Sequence, residues 1–225
     1  MTELEYLGHS AFAIRDSGKE ILIDPFLSDN PKAPASASEV HPDLILVTHA
    51  HHDHLGDALE LSKRFGCPVL SVSEINDYLE ERGAKVIPGN IGGEIELPFC
   101  WVKIFPAVHS SSFEDGRYGG APCSFLVRMG GKTVFHAGDT ALFKDLSLVA
   151  DEADIRAALL PVGGTYTMGL NDAVSAMRLL RARVMVPMHY DTWPSIAVER
   201  WALESAARAG EFSVKVLAPG ERLVL

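Results

Sequence analysis

Residues 44 to 57 read Leu-Ile-Leu-Val-Thr-His-Ala-His-His-Asp-His-Leu-Gly-Asp: an apolar strand runs straight into four histidines and an aspartate, and helical spacing begins at once. Imidazoles and carboxylates crowded beside a hydrophobic segment are costly unless a cation compensates them. A metal ion turns that cost into binding. On a loop, His49 and His51 can point to one side and chelate one ion, while Asp53 and His54 turn toward a second ion beside it. The bland alternative is a polar loop carrying surface histidines.

The other histidines argue against that alternative by their positions. His109 follows the apolar run Trp101–Val108, and His189 follows Val184–Met188. Asp139 sits just past Lys132–His136 in His136-Ala137-Gly138-Asp139-Thr140. Polar residues at the ends of several apolar strands collect at one edge of a sheet, where sites are commonly assembled. Two adjoining sites are therefore expected: His49, His51 and His109 for one, Asp53, His54 and His189 for the other, with Asp139 bridging. The donors are nitrogen and oxygen with no thiolate, which suits two divalent ions, zinc first, with manganese or iron also compatible. His52 is the cluster member expected to point outward. His9 and His136 also end strands. They are candidates for proton transfer, for support of a ligand, for substrate contact, or for simple satisfied burial. Asp24, closing Ile21-Leu22-Ile23, is expected to orient a ligand or a loop rather than bind metal. Thr165, Tyr166 and Tyr190 are candidate pocket residues.

Positioning these groups requires many short elements. Strands are predicted over Leu4–Leu7, Ala11–Arg15, Glu20–Asp24, Leu44–Thr48, Val69–Val72, Lys85–Pro88, Glu94–Leu97 and Trp101–Val108. Helical spacing covers Leu55–Phe65, stopped by Gly66, and Ser73–Arg82, with Ser73 a candidate N-cap. The second half repeats the rhythm: Ser124–Met129 and Lys132–His136 across Gly130-Gly131, a helix around Leu142–Ala150, then the strand Ala157–Pro161. A helix Asn171–Leu180, the strand Val184–Met188, a helix Ile196–Ala209, and strands Val214–Leu217 and Arg222–Leu225 complete the chain. With no repeat, low-complexity segment or linker, residues 1–225 read as one α+β domain of two packed sheets flanked by helices.

Composition narrows the function classes. The 225 residues are 47% hydrophobic and 22% charged, which is globular, and the formal net charge is −10. That balance makes nucleic acid and anionic membranes disfavoured partners, since only Arg178, Arg181 and Arg183 come near to a basic cluster. A small-molecule substrate is expected, and a homo-oligomer stays open. The three cysteines are far apart with no C-x-x-C pair, as in a reducing compartment. The opening Met-Thr-Glu-Leu-Glu-Tyr-Leu is acidic and has no apolar signal region, and no apolar run approaches the roughly 20 residues of a membrane span. A cytoplasmic location is the expectation.

The H-x-H-x-D-H pattern, followed by a His, a Gly-Asp-Thr aspartate and a late His, resembles the metallo-β-lactamase superfamily. Leu7-Gly8-His9-Ser10, Ile23-Asp24-Pro25-Phe26, Gly163-Gly164-Thr165-Tyr166-Thr167-Met168 and Met188-His189-Tyr190 look like its compact metal-dependent hydrolase branch near the ascorbate-phosphate lactonases. The resemblance implies a four-layer αββα sandwich of two mixed sheets, with a dinuclear site at one edge. The implied chemistry is hydrolysis of an ester, lactone or phosphodiester, with a metal-activated water that Asp53 also orients. Iron relatives of the fold run redox chemistry, but di-iron oxygen reductases place Glu where this chain has His51, and they carry a flavin domain. A non-catalytic metal-binding protein is the third alternative.

Overall fold

The computed structural model describes residues 1–208 and 212–225. Its first sheet begins with an antiparallel meander of β1 (Glu3–Tyr6), β2 (Phe12–Asp16) and β3 (Lys19–Ile23). Parallel strands β4 (Leu44–Leu46), β5 (Pro68–Leu70) and β6 (Lys85–Ile87) extend it from β3. The second sheet starts with the meander β7 (Glu94–Leu97), β8 (Cys100–Pro106), β9 (Cys123–Met129) and β10 (Lys132–His136). Parallel β11 (Ala157–Pro161), β12 (Val184–Met188) and β13 (Ser213–Val214) follow. The C-terminal strand β14 (Arg222–Val224) returns to pair with β1. Among the described residues each sheet thus has seven strands, joined by three antiparallel and then three parallel pairings.

Parallel neighbours need crossover connections, and helices supply most of them. α1 (His52–Leu55), α2 (Ala58–Phe65) and α3 (Ser73–Glu80) connect the parallel strands of the first sheet. α4 (Leu146–Glu152), α5 (Leu170–Leu180) and α6 (Arg200–Arg208) do so in the second. The sheets pack face to face, and Phe12, Phe125 and Phe135 are fully buried. The result is the expected αββα sandwich. Among the described residues no helix is long and apolar enough to cross a membrane.

Four differences from the sequence expectation have local causes. The helix predicted over Leu55–Phe65 is broken at Gly56, whose φ is +41°. A Cβ there would lie 2.3 Å from the Pro25 carbonyl oxygen, so only glycine lets the His-rich turn close on the 25–28 loop. Asp57 reinforces the contact by accepting from the Leu27 and Ser28 amides, each at 2.9 Å, and is thereby unavailable as a cap for α2. Ser73 is the first residue of α3 rather than its cap, and its hydroxyl accepts from Asn90. The helix expected around Leu142 starts only at Leu146, because the preceding turn is tied to the β8–β9 loop through Ala141 N–H to Val108 and Val108 N–H to Thr140 Oγ1. The helix expected from Ile196 begins at Arg200, after a single 3-10 turn over Pro194–Ile196. Its expected end, Ala209, lies outside the described residues.

Candidate metal centre

The chemistry-bearing residues stand where strands of both sheets end. His49 follows β4, His51 stands at the cap position of α1, and Asp53 and His54 are in its only turn. His9 sits between β1 and β2, and Asp24 just beyond β3. From the second sheet, His109 lies on the β8–β9 loop, Asp139 follows β10 and His189 follows β12. His9, Asp24 and His189 all adopt left-handed backbone, with φ of 56°, 47° and 55°. Strain of this kind, on the order of 1 kcal/mol or more per residue, gathers at functional sites and needs surrounding structure to hold it.

Asp139 lies between the groups of histidines. Its Oδ2 is 3.1 Å from His189 Nε2, 3.5 Å from His109 Nε2 and 3.9 Å from His49 Nε2, while Oδ1 is 3.3 Å from His54 Nε2. On one side, His49 Nε2 and His51 Nδ1 approach to 2.9 Å, with the His109 ring 5.3 and 5.2 Å from theirs. On the other, Asp53 Oδ2 is 2.9 Å from His9 Nε2, 3.7 Å from His189 Nε2 and 4.0 Å from His54 Nε2. Among the described residues three sets have all their donor atoms within 4.8 Å: His49, His51 and His109; His9, Asp53, His54 and His189; and His49, His54 and Asp139. All seven residues expected as ligands come together, and His9 joins them.

A buried carboxylate sets which nitrogens face inward. Asp24 Oδ2 accepts from His54 Nδ1 at 2.7 Å and from the Thr48 hydroxyl at 2.8 Å, and Oδ1 accepts from the Thr48 amide at 2.8 Å. Because the Thr48 hydroxyl donates to Asp24, it accepts from His49 Nδ1, 3.0 Å away. Both histidines therefore carry their proton on Nδ1 and turn Nε2 toward the centre. This is the outer-shell arrangement that metal-bound histidines require.

Burial disfavours the charged form of every group here. It keeps His49, His51 and His109 below the ordinary histidine value and takes His9 down to about 4. At His54 burial is outweighed by Asp139, Asp24 and Asp53, which hold the imidazole well above its usual value. Asp139 and Asp53 likewise overcome burial at His189 and lift it to about 9. Burial also opposes ionisation of Asp53 and Asp139, yet the adjoining His54 and His189 keep both carboxyls well below the usual range.

These donors fit a divalent metal. Among the described residues, His54 Nε2 and Asp139 Oδ1 are buried without a hydrogen-bond partner although they lie 3.3 Å apart. They attract as an imidazolium and a carboxylate but are not aligned to hydrogen bond. Leaving such atoms unmatched costs about 1–3 kcal/mol each, which a cation between them would remove.

Beyond the ligand candidates, a cleft of about 230 Å³ is lined by Ser110, Tyr166 and Trp193. His52 points outward as expected, between Asp29 and Glu114. His136 does not reach the cleft: Nε2 donates to the Ser10 carbonyl at 2.9 Å and Nδ1 accepts from the Gly138 amide at 3.1 Å. For His136 the geometry favours satisfied burial over proton transfer. Tyr190 faces a separate cavity with Tyr6, and Thr165 binds the Ser195 carbonyl. Thr48, Ser110, Thr192 and Trp193 escaped the sequence reading. Adjacency to His49, His109 and His189 was their only signal.

The family model described as the beta-lactamase superfamily domain matches residues 3–189. The chain belongs to the metallo-β-lactamase superfamily. Within it the chain is 49% identical over 225 residues, all of both chains, to a UPF0173 metal-dependent hydrolase of Thermus thermophilus. A UPF0173 metal-dependent hydrolase of Thermococcus kodakarensis is 43% identical over 228 residues, again with 100% of both chains covered. Igni18, a metallo hydrolase from Ignicoccus hospitalis, superimposes with a TM-score of 0.89 at 38% identity, covering 99% of this chain and 97% of that one. The protein falls among the superfamily's metal-dependent hydrolases.

Proposed function

We propose that the protein hydrolyses an ester, lactone or phosphodiester bond of a small molecule, using two divalent metal ions, zinc first among the candidates. The observation that carries this reading is Asp139. One oxygen faces His49, His109 and His189 and the other faces His54, as a carboxylate shared between two ions would stand. His49, His51 and His109 would hold one ion, and Asp53, His54 and His189 the other. Metal in such a site supplies Lewis acidity and lowers the pKa of water.

The chain's own groups do the rest. Asp53 keeps an edge on the cleft, 21% exposed, and there accepts a hydrogen bond from the attacking water and aims it. His9 is neutral at pH 7. Asp53, held ionised, can only accept, so the proton of neutral His9 sits on Nε2 and Nδ1 accepts from the Thr192 hydroxyl at 2.8 Å. His9 Nε2–H is then left to donate to Asp53 at 2.9 Å. Among the roles open to His9, support of Asp53 is the one these contacts favour.

Elemental analysis of protein purified without added metal, followed by chromogenic ester, lactone and phosphodiester substrates, tests the reading. About two ions per chain and turnover of one class are expected. Less than about half an ion per chain after reconstitution rejects the dinuclear assignment.

A further inference from the structure

Apart from the ligand candidates, the cleft wall consists of Ser110, Tyr166 and Trp193, and none of its lining residues is Lys or Arg. The two aromatic residues stand on loops that are fastened together. Tyr166 lies on the loop closed by a bridge between Gly163 and Gly169, and the neighbouring Thr165 hydroxyl donates to the Ser195 carbonyl on the Trp193 loop. The Trp193 ring lies 4.9 Å from His9 and 6.2 Å from Phe26. Its neighbour Thr192 is bound to the same His9.

The exposed charges flanking the motif are acidic. Asp29 and Glu114 lie 3.4 and 3.5 Å from the two ring nitrogens of His52. Arg117 pairs with Asp115 and Arg200 with Glu204, while Lys32 lines a different cavity.

Recognition of a carboxylate or phosphate remote from the reacting bond calls for Arg, Lys or a cradle of amides. The Ser110 and Tyr166 hydroxyls and the Trp193 indole N–H are neutral donors and supply no countercharge. A permanent anion placed there would exchange water for neutral donors, with no countercharge, beside an acidic rim. Aromatic walls instead reward flat or apolar groups. We infer that the substrate is a small molecule whose uncharged apolar or aromatic flank is held by Tyr166 and Trp193, and that substrates with a remote anionic group are rejected. This rests on the hydrolase reading above and narrows it by the charge of the flank.

The test compares p-nitrophenyl butyrate with p-nitrophenyl hemisuccinate, similar in size and differing in a remote carboxylate, on zinc-loaded protein. The neutral ester should be favoured by roughly 100-fold in kcat/KM. Tyr166→Arg, at a residue 60% exposed, should narrow that gap about tenfold with metal content unchanged. A second readout needs no turnover: quenching of Trp193 fluorescence, in a Trp101→Phe/Trp201→Phe background, by N-phenylbutyramide against N-phenylsuccinamic acid. Tighter binding of the neutral amide is expected. Equal or better binding and turnover of the charged members overturns the inference and leaves hydrolysis standing. Neutral-selective binding with no turnover of either ester overturns the hydrolase reading and leaves the selectivity of the cleft standing.

Discussion

The main-chain N–H of His189 donates to the main-chain carbonyl of His9 at 2.8 Å. The two residues belong to different sheets, so the bond is a seam across the sandwich at the metal centre. The Tyr6 hydroxyl reaches the same carbonyl at 3.1 Å. Since the seam uses backbone atoms, either imidazole can be removed without breaking it.

His9→Ala therefore tests what that imidazole does, with an added backbone cost at φ 56° that a denaturant titration separates from metal binding. Loss of its bond to Asp53 should weaken metal binding about 10–100-fold, with activity restored by excess metal. Titration of stripped variant protein with zinc, following both occupancy and rate, reads this directly. Full occupancy with a kcat lower by roughly 10²–10⁴ would instead make His9 a proton donor.

Asp24→Asn should weaken both metal positions together. Asparagine tolerates the left-handed backbone at φ 47°, so the loop should keep its course. The neutral amide no longer anchors His54 Nδ1–H and the Thr48 hydroxyl with a charge, and both inward-facing nitrogens lose their fixed tautomer. Chelator competition should give affinities lower by about 10–100-fold at each position. A variant that loses one ion and holds the other at wild-type strength would contradict the shared role of Asp24.

The pH dependence has a definite sign. His189 stands at about 9 in the fold against an ordinary 6.5. A raised pKa favours the folded chain fully below pH 6.5, and that contribution disappears as pH climbs through 9. His54 is raised as well and acts in the same direction. Metal ligation displaces protons from both, so zinc uptake at pH 7 should release acid and grow stronger with rising pH. The Tm of chelator-treated protein should fall between pH 6.5 and 9 while the increment from added zinc grows. An increment that stays flat over that range is the failing result.

His136 and His52 form a contrasting pair. His136→Ala removes a fully buried ring bonded to Ser10 and Gly138, and should destabilise the fold by about 2–4 kcal/mol in denaturant titrations. Its metal content and kcat per folded molecule should not change. His52→Ala should stay within about 0.5 kcal/mol of wild type and keep activity. A dead His52 variant beside an active His51→Ala would mean the motif has been read out of register.

The convergence of the seven candidate residues was legible because metal binding restricts residue types, and strands deliver them at predictable places. His49, His109, Asp139 and His189 each follow an apolar run, so chain order alone brought them to one edge. The partners of His9 were not legible, because Asp53 and Thr192 lie far away in sequence. The break at Gly56 was hidden for a similar reason: the spacing of Leu55–Phe65 is helical, and only the distant Pro25 carbonyl explains why the helix stops. Trp193 gave no signal because its type is as common in cores as in pockets, and its loop latch runs through Thr165 and Ser195.

The donors are divided between the two sheets: His9 and residues 49–54 stand on the first, His109, Asp139 and His189 on the second. Ions gripped from both sides would tie together stretches of chain about 60 to 140 residues apart and so restrict the unfolded ensemble. A disulfide closing a loop of that length contributes about 5 kcal/mol by chain entropy. The three free cysteines form no such link, so the metal would be the covalent-like tie of this sandwich. Exchange of metal and parting of the sheets would then share one barrier, and a slow chelation rate would report how rarely the two halves separate.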